Sequence, residues 1–154
     1  MDIINELLGN QIFMSAALSW LVAQILKTII HLVFNREFMA ERLVGSGGMP
    51  SSHSSTVCAL ATASFLKFGV GSYEFAISAI LALIVMYDAR GVRRETGIQA
   101  KILNEMMQLF QDMGSDMPPR EKLKEFVGHT PLQVLIGAIL GIAIAYLYCG
   151  VLFQ

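Results

Sequence analysis

Charged side chains are scarce in this sequence. Only 15% of its 154 residues are Asp, Glu, Lys or Arg, whereas soluble domains carry about 25%. The charges are also uneven: the stretch from Asp88 to His129 holds 14 of the 23, and the 24 residues from Thr130 to Phe153 hold none. Such an uncharged run is long enough to cross a bilayer. The composition excludes a soluble enzyme and a disordered chain, and it predicts a single integral membrane domain over residues 1–154.

Cysteine and excess basic charge are equally scarce. Cys58 and Cys149 lie in apolar runs and have no metal-ligand spacing with each other or with the three histidines, so we interpret them as packing residues and expect no metal or cofactor. A net charge of −1 excludes a broadly basic nucleic-acid binder. The N-terminus carries acids where a signal peptide needs a basic region, so we expect the first apolar stretch to be retained as an anchor.

Four apolar stretches predict an all-α, polytopic membrane bundle of about four transmembrane helices. The stretches cover residues 12–34, 54–68, 73–88 and 131–153, and the middle two are short for a full crossing. The two loops on one side hold nine Lys or Arg residues, and the other side holds only Lys67. This asymmetry predicts that the long loops are cytoplasmic and both termini lie outside, and we expect the plasma (inner) membrane.

The loop at residues 89–129 contains an amphipathic pattern. From Glu95 to Met113, apolar residues recur at three- and four-residue steps, which predicts a cytoplasmic helix. Pro119 predicts a second short helix that ends near Gly128. We expect the longer helix to pack on the cytoplasmic ends of the spans or to lie in the headgroup plane, with docking of a partner protein as the alternative.

Two segments place a histidine beside a proline where an apolar helix begins: Pro50-Ser51-Ser52-His53 and Gly128-His129-Thr130-Pro131. Thr130 suits an N-cap and Pro131 a first turn. Free backbone N–H groups and the positive end of the helix dipole attract phosphate at such a position. Both segments lie on the same predicted side, which suits a nucleophile and an acid acting on one phosphorus atom. The alternative is that each histidine only caps a helix or forms interfacial hydrogen bonds.

Cations accompany these histidines. Lys27 lies inside the first span, where a buried ammonium costs a few kcal/mol unless it is paired or snorkels. It shares a helix face with Gln24 and His31, a polar stripe that is also typical of a transporter. Arg90 and Arg93, at the end of the third span, would form a guanidinium pair suited to phosphate oxygens, with anchoring by the positive-inside rule as the alternative.

The order of these motifs resembles a divergent branch of the type-2 phosphatidic acid phosphatase and vanadium haloperoxidase superfamily. An in-membrane Lys27 and then Arg36 are followed by Pro-Ser-Ser-His, and a late Gly-His-Thr-Pro begins the last apolar stretch. Residues 87–94, Tyr-Asp-Ala-Arg-Gly-Val-Arg-Arg, resemble the same membrane family. The resemblance covers most of the chain from Lys27 onward. It implies metal-free dephosphorylation, commonly of lipid phosphates, through a phosphohistidine.

The resemblance also implies a role for each residue. His129 would be the nucleophile and His53 the acid that protonates the leaving oxygen. Gln133 stands where the family has a carboxylate. We expect Asp88 to replace it, either by bonding an active-site histidine or by pairing with the Arg90 and Arg93 cluster. By the resemblance, the substrate phosphate is bound by Lys27, Arg36, Ser51 and Ser52. The family's arginine before the second histidine is missing here, and we expect Arg90 or Arg93 to supply it.

The sequence therefore predicts a membrane phosphatase that hydrolyses a lipid phosphate or pyrophosphate at the cytoplasmic face, with membrane lipid as its partner and a homo-oligomer left open. One alternative is a non-hydrolytic lipid-phosphate or anion transporter or binding protein that reuses the pocket. Gln133 favours it, because an amide cannot stabilise an imidazolium as a carboxylate does. Another alternative is a non-catalytic interaction protein whose surface is the Met-rich helix with Met106, Met107 and Met113.

Overall fold

The computed structural model describes residues 2–36, 48–113, 123 and 128–150, with the side chains of Asn35 and Arg93 left out. Within these ranges the chain forms six helices and no strand, which confirms the predicted all-α membrane fold. The helices are α1 (Ile3–Gly9), α2 (Gln11–Asn35), α3 (Ser52–Phe68), α4 (Tyr73–Arg90), α5 (Val92–Asp112) and α6 (Pro131–Gly150). The second short helix predicted from Pro119 falls outside the described residues.

Three helical stretches of the described chain are long and apolar enough to cross a membrane. They are Gln11–Phe34, the run Tyr73–Asp112 that includes α4 and α5, and Pro131–Gly150. Helix α3 has only 17 residues, a rise of ~26 Å against a hydrocarbon core of ~30 Å. It is instead the central helix, which packs against α2, α4 and α6. The structure thus supports three membrane spans by length. The remaining predicted stretch, which forms α3, lies among them.

Helix α3 and helix α6 are in backbone contact. A Cβ atom added to Gly137 would collide with the carbonyl oxygen of Ser51, and one added to Gly141 would collide with the carbonyl oxygen of Ser55. Because both contacts advance by four residues in the same direction, α3 and α6 run parallel. Small residues spaced four apart allow such close approach between helices in membranes.

Helix α2 is joined to α3 by a hydroxyl pair. Ser19 Oγ lies 2.6 Å from Ser55 Oγ, and it also donates to the Ser55 carbonyl at 3.0 Å. Both serines are fully buried. Water does not reach their hydroxyl groups, so the two serines provide each other's hydrogen-bond partner. The contact fixes α2 against the same part of α3 that α6 touches. Because α3 and α6 run parallel and Ser51 lies against Gly137, the starts of these two helices meet at one end of the bundle.

Candidate functional site

The two histidines predicted from the motifs meet at this end of the bundle. His53 lies in the first turn of α3, and His129 lies two residues before α6 begins. Their ring centroids are 6.0 Å apart and their planes are inclined by 61°. His129 is buried, with 2% of its surface exposed, and His53 is half-buried. The parallel packing of α3 on α6 is what brings together residues that are 76 positions apart in the sequence.

Gln133 holds the His129 ring through one nitrogen. Its Oε1 lies 3.4 Å from Nδ1 of His129 and also accepts the Thr130 N–H at 3.0 Å. Thr130 Oγ1 in turn accepts the Gln133 N–H at 3.3 Å, which completes a capping box at the start of α6. Because Oε1 is an acceptor, the Nδ1 of a neutral His129 carries the proton and Nε2 carries the lone pair. Nε2 is buried and has no hydrogen-bond partner among the described residues.

The backbone of His129 is anchored to α4. Its N–H donates to the carbonyl of Ala89 at 3.0 Å. Ala89 is buried in the last turn of α4, so the bond ties this end of α4 to the segment just before α6. Asp88, the carboxylate predicted to act on the histidines, is half-buried one residue earlier. The structure thus brings the Asp88 backbone near His129, and the side-chain acceptor that it shows beside Nδ1 is Gln133.

Lys27 lies beneath the loop that precedes Pro50. Only 2% of its surface is exposed. Gly48 has a φ of 87°, and a Cβ atom there would lie 3.1 Å from both Cγ and Cδ of Lys27. The glycine therefore allows the loop to close tightly over the lysine stem. The Lys27 ammonium is close enough to His129 to influence its ionisation.

The surroundings of His129 favour its neutral form. Burial lowers the pKa of His129 below its ordinary value, because desolvation disfavours the imidazolium. The hydrogen bond with Gln133 and the contact with the Gly48 backbone raise the pKa, whereas the charges of His53 and Lys27 lower it further. The net effect is a lowered pKa. His129 is therefore mainly neutral at pH 7, which leaves Nε2 unprotonated.

The two predicted serines lie at the start of α3. Ser51 and Ser52 are both buried. Ser51 is the N-cap: its Oγ accepts the Ser54 N–H at 3.3 Å, and its own N–H donates to the Gln133 carbonyl at 3.1 Å. The Ser51 hydroxyl therefore caps α3, and the Ser51 N–H joins α3 to α6. These bonds place His53, two residues later, beside the capping box that holds His129.

The three predicted arginines lie at helix ends. Arg36 is exposed in a left-handed conformation just after α2, nine residues and ~13 Å along the axis from Lys27. Arg90 is exposed at the last position of α4. Arg93 lies in the first turn of α5, and its side chain is outside the described part. The structure therefore assembles Lys27, His53 and His129 and places Arg36 and Arg90 on the surface.

Several features of the site were missed in the sequence analysis. The capping box of Thr130 and Gln133 could have been found from the Thr-x-x-Gln pattern, and the close packing from the Gly-x-x-x-Gly spacing of Gly137 and Gly141. Gln24 is buried, and its Oε1 has no hydrogen-bond partner within the described chain. The sequence places Gln24 in a polar stripe with Lys27, and no local pattern in it shows that the Gln24 side chain is buried.

Comparisons with known proteins show what the chain is similar to. A family model described as the divergent PAP2 family matches residues 8–144. The chain is also similar to a curated relative, the "Uncharacterized membrane protein YuiD" of Bacillus subtilis (strain 168). The two are 39% identical over 146 residues, which cover 89% of this chain and 92% of the relative. No solved structure matches the chain.

Proposed function

Since the chain belongs to the divergent PAP2 family of membrane proteins, we propose that it is a membrane phosphatase that hydrolyses a lipid phosphate or pyrophosphate through a phosphohistidine. The observation that carries the proposal is the histidine pair, 6.0 Å between ring centroids, with buried Lys27 close enough to act on the ionisation of His129. A buried ammonium beside a neutral imidazole is a setting that favours a phosphate anion.

The first step is transfer of the phosphoryl group to His129. The Nε2 lone pair attacks phosphorus, the N–P bond forms, and the bond from phosphorus to the leaving oxygen breaks. Protonated His53 gives its proton to that oxygen as the general acid. Lys27 offsets the negative charge on the phosphoryl oxygens. Gln133 accepts the Nδ1–H throughout, so the ring keeps the orientation that directs Nε2 toward the substrate.

The second step releases phosphate. A water molecule loses a proton to His53, which is now neutral, and its oxygen attacks phosphorus while the N–P bond breaks. The electron pair of that bond returns to Nε2, and both histidines recover their starting protonation states. The reaction uses only the side chains of this chain and water, so we expect activity in the presence of a chelator.

A second candidate function is supported by one observation. The acceptor beside Nδ1 of His129 is the amide of Gln133, which brings no negative charge to offset the positive charge of a phosphorylated imidazole ring. A non-hydrolytic lipid-phosphate or anion transporter, or a binding protein, would need the same cationic pocket and no phosphohistidine. The two functions share anion binding and differ in turnover.

Phosphate release tests the proposed function. Purified protein in mixed micelles with EDTA would be given a panel of lipid phosphates and pyrophosphates. We expect phosphate release that is abolished by His129→Ala and retained by His31→Ala, a control on a histidine outside the pair. Release that is equal in His129→Ala and in the wild type would contradict the phosphohistidine. Retained anion binding without release by the wild type would favour the transporter or binding protein.

We propose the same topology as the sequence predicts, with the histidine end facing the cytoplasm and lipid as the partner. The asymmetry of nine Lys or Arg residues against one supports this orientation. In a background without Cys58 and Cys149, a cysteine at Ser72 should react with reagents added outside, and one at Ser115 only with reagents admitted to the cytoplasm. Labelling of both positions from one side would overturn this topology.

A further inference from the structure

Helix α5 carries a broad apolar face that no described helix covers. Among the described helices α5 packs against α4 alone. The large apolar residues on this face are between 43% and 80% exposed. They are Ile98, Ile102, Leu103, Met106, Leu109, Phe110 and Met113. An exposed apolar surface of this extent is uncommon in water and indicates a binding surface.

The other two sides of α5 have different surroundings. Gly97 and Ala100 are buried, and the Asn104 side chain on the same side exchanges two hydrogen bonds with the Leu123 backbone, at 2.9 and 3.0 Å. This side therefore faces the chain itself. Lys101 and Glu105 form an exposed ion pair at 3.8 Å on a second side, which is suited to water. The apolar face is the third side.

The position of α5 along the chain favours lipid as the occupant of this face. Helix α4, which belongs to a stretch long and apolar enough to cross the membrane, ends at Arg90, and α5 begins at Val92. The first turn of α5 is therefore held at the membrane boundary. Gly91 between them has φ −95° and ψ −89°, which departs from helical values and separates α4 from α5. We propose that α5 lies in the membrane interface with its apolar face in the headgroup and acyl boundary.

The charges of α5 determine what kind of lipid surface it binds. Residues 92–112 contain three basic and three acidic side chains, so the helix has no net charge. Attraction to anionic headgroups therefore adds little, since that attraction depends on excess Lys and Arg. The attachment comes from apolar contact, and it takes place on zwitterionic lipid as well as on anionic lipid.

This placement also determines the depth of the histidine pair. The Ala89 carbonyl, three residues before α5, accepts the N–H of His129. An α5 that lies among the headgroups therefore keeps His129 and His53 at the depth of lipid headgroups. The inference about α5 does not depend on whether the site hydrolyses phosphate, and its test uses no activity measurement.

Tryptophan fluorescence tests the proposal in the full-length protein. Trp20 is the single tryptophan, so the Trp20→Phe variant has no tryptophan fluorescence of its own and serves as the background. Leu109→Trp reports the apolar face, and Gln108→Trp, its neighbour on the charged side, is the matched control. In vesicles of brominated phosphatidylcholine we expect Leu109→Trp to lose most of its fluorescence and Gln108→Trp to lose little. Aqueous acrylamide should quench the two variants in the opposite order.

Three outcomes would overturn the proposal. Quenching of Leu109→Trp by acrylamide and not by the brominated lipid would place the face in water. Protection from both quenchers would place it against protein, such as a second copy of this chain. Quenching that requires anionic lipid in the vesicles would contradict attachment by apolar contact. The pair Met106→Trp and Glu105→Trp repeats the comparison if either first variant is unstable.

Discussion

The side-chain oxygen of Gln133 lies 3.4 Å from Nδ1 of His129 while it accepts the N–H of Thr130 at 3.0 Å. One acceptor therefore serves both the start of α6 and the orientation of the buried imidazole. The Gln133 carbonyl also accepts the Ser51 N–H, so this residue joins α6 to the cap of α3. A change at position 133 is thus expected to act on helix capping and on His129 together, and the following variants separate the two effects.

Gln133→Glu is expected to keep the cap and add a negative charge beside Nδ1. A carboxylate accepts both hydrogen bonds and stabilises the imidazolium, so the pKa of His129 should rise from its lowered value. Turnover at pH 8 should be preserved or increased, and the acidic limb of the kcat/KM profile should move to higher pH. Gln133→Ala should lose the cap, at about 1 kcal/mol, together with most of the turnover. An unchanged pH profile in Gln133→Glu would show that this residue does not act on the ionisation of His129.

Lys27→Met is expected to abolish stabilisation by anions. A ligand that binds only the folded protein stabilises it by about 2.7 kcal/mol at a hundredfold excess over its Kd, so phosphate or vanadate should raise the Tm of the detergent-solubilised wild type. Lys67→Met, at the far end of α3, is the control and should keep the rise in Tm. Equal protection of Lys27→Met would mean that the buried ammonium does not contact the anion.

The local parts of the site could be predicted from the sequence, and the long-range parts could not. The Thr130-Pro131 start of α6 follows from short-range capping and turn preferences. The distance between His53 and His129 depends on the backbone contact of α3 with α6 at Gly137, which no local pattern around the histidines contains. The pairing of these histidines was expected because both motifs begin apolar helices on the same predicted side, and the resemblance to a family implied it as well.

The arginines show where prediction from sequence motifs fails. Arg36 was expected in the phosphate pocket from the order of the family's motifs, and Arg90 from the guanidinium pair that it would form with Arg93. The structure places Arg36 and Arg90 on the surface at helix ends. Motif order does not give the direction in which a chain leaves its helix. The left-handed conformation of Arg36, with φ 53°, ends α2 beyond the lysine-bearing turn. Their roles as phosphate ligands stay predictions.

The stability of the protein is expected to depend on the ionisation of His129. Its pKa is lowered in the folded state, so below about pH 6.5, where the unfolded chain begins to protonate this residue, the folded state binds fewer protons. The free energy of unfolding should therefore fall as the pH drops below that value, down to the folded pKa. His129→Gln should reduce this dependence, whereas His31→Gln should retain it. Denaturation in detergent across pH 5 to 8 measures the slopes, and identical slopes in the two variants would contradict the assignment.

Gly141→Ala is expected to separate α3 from α6. The added Cβ would meet the Ser55 carbonyl oxygen and the Ala59 backbone nitrogen, which cannot rotate away as a side chain can. Such overpacking typically costs about 1–3 kcal/mol, and because the histidines are paired through this helix contact, anion protection should weaken as well. Gly150→Ala is the matched control, since its Cβ would meet only the Tyr146 ring at 3.9 Å. It should keep the Tm and the anion protection of the wild type. A Gly141→Ala variant that melts and binds phosphate like Gly150→Ala would show that α3 and α6 can move apart without disturbing the site, and the histidine pair would then have to be held by the Ser51–Gln133 and Ala89–His129 backbone bonds alone.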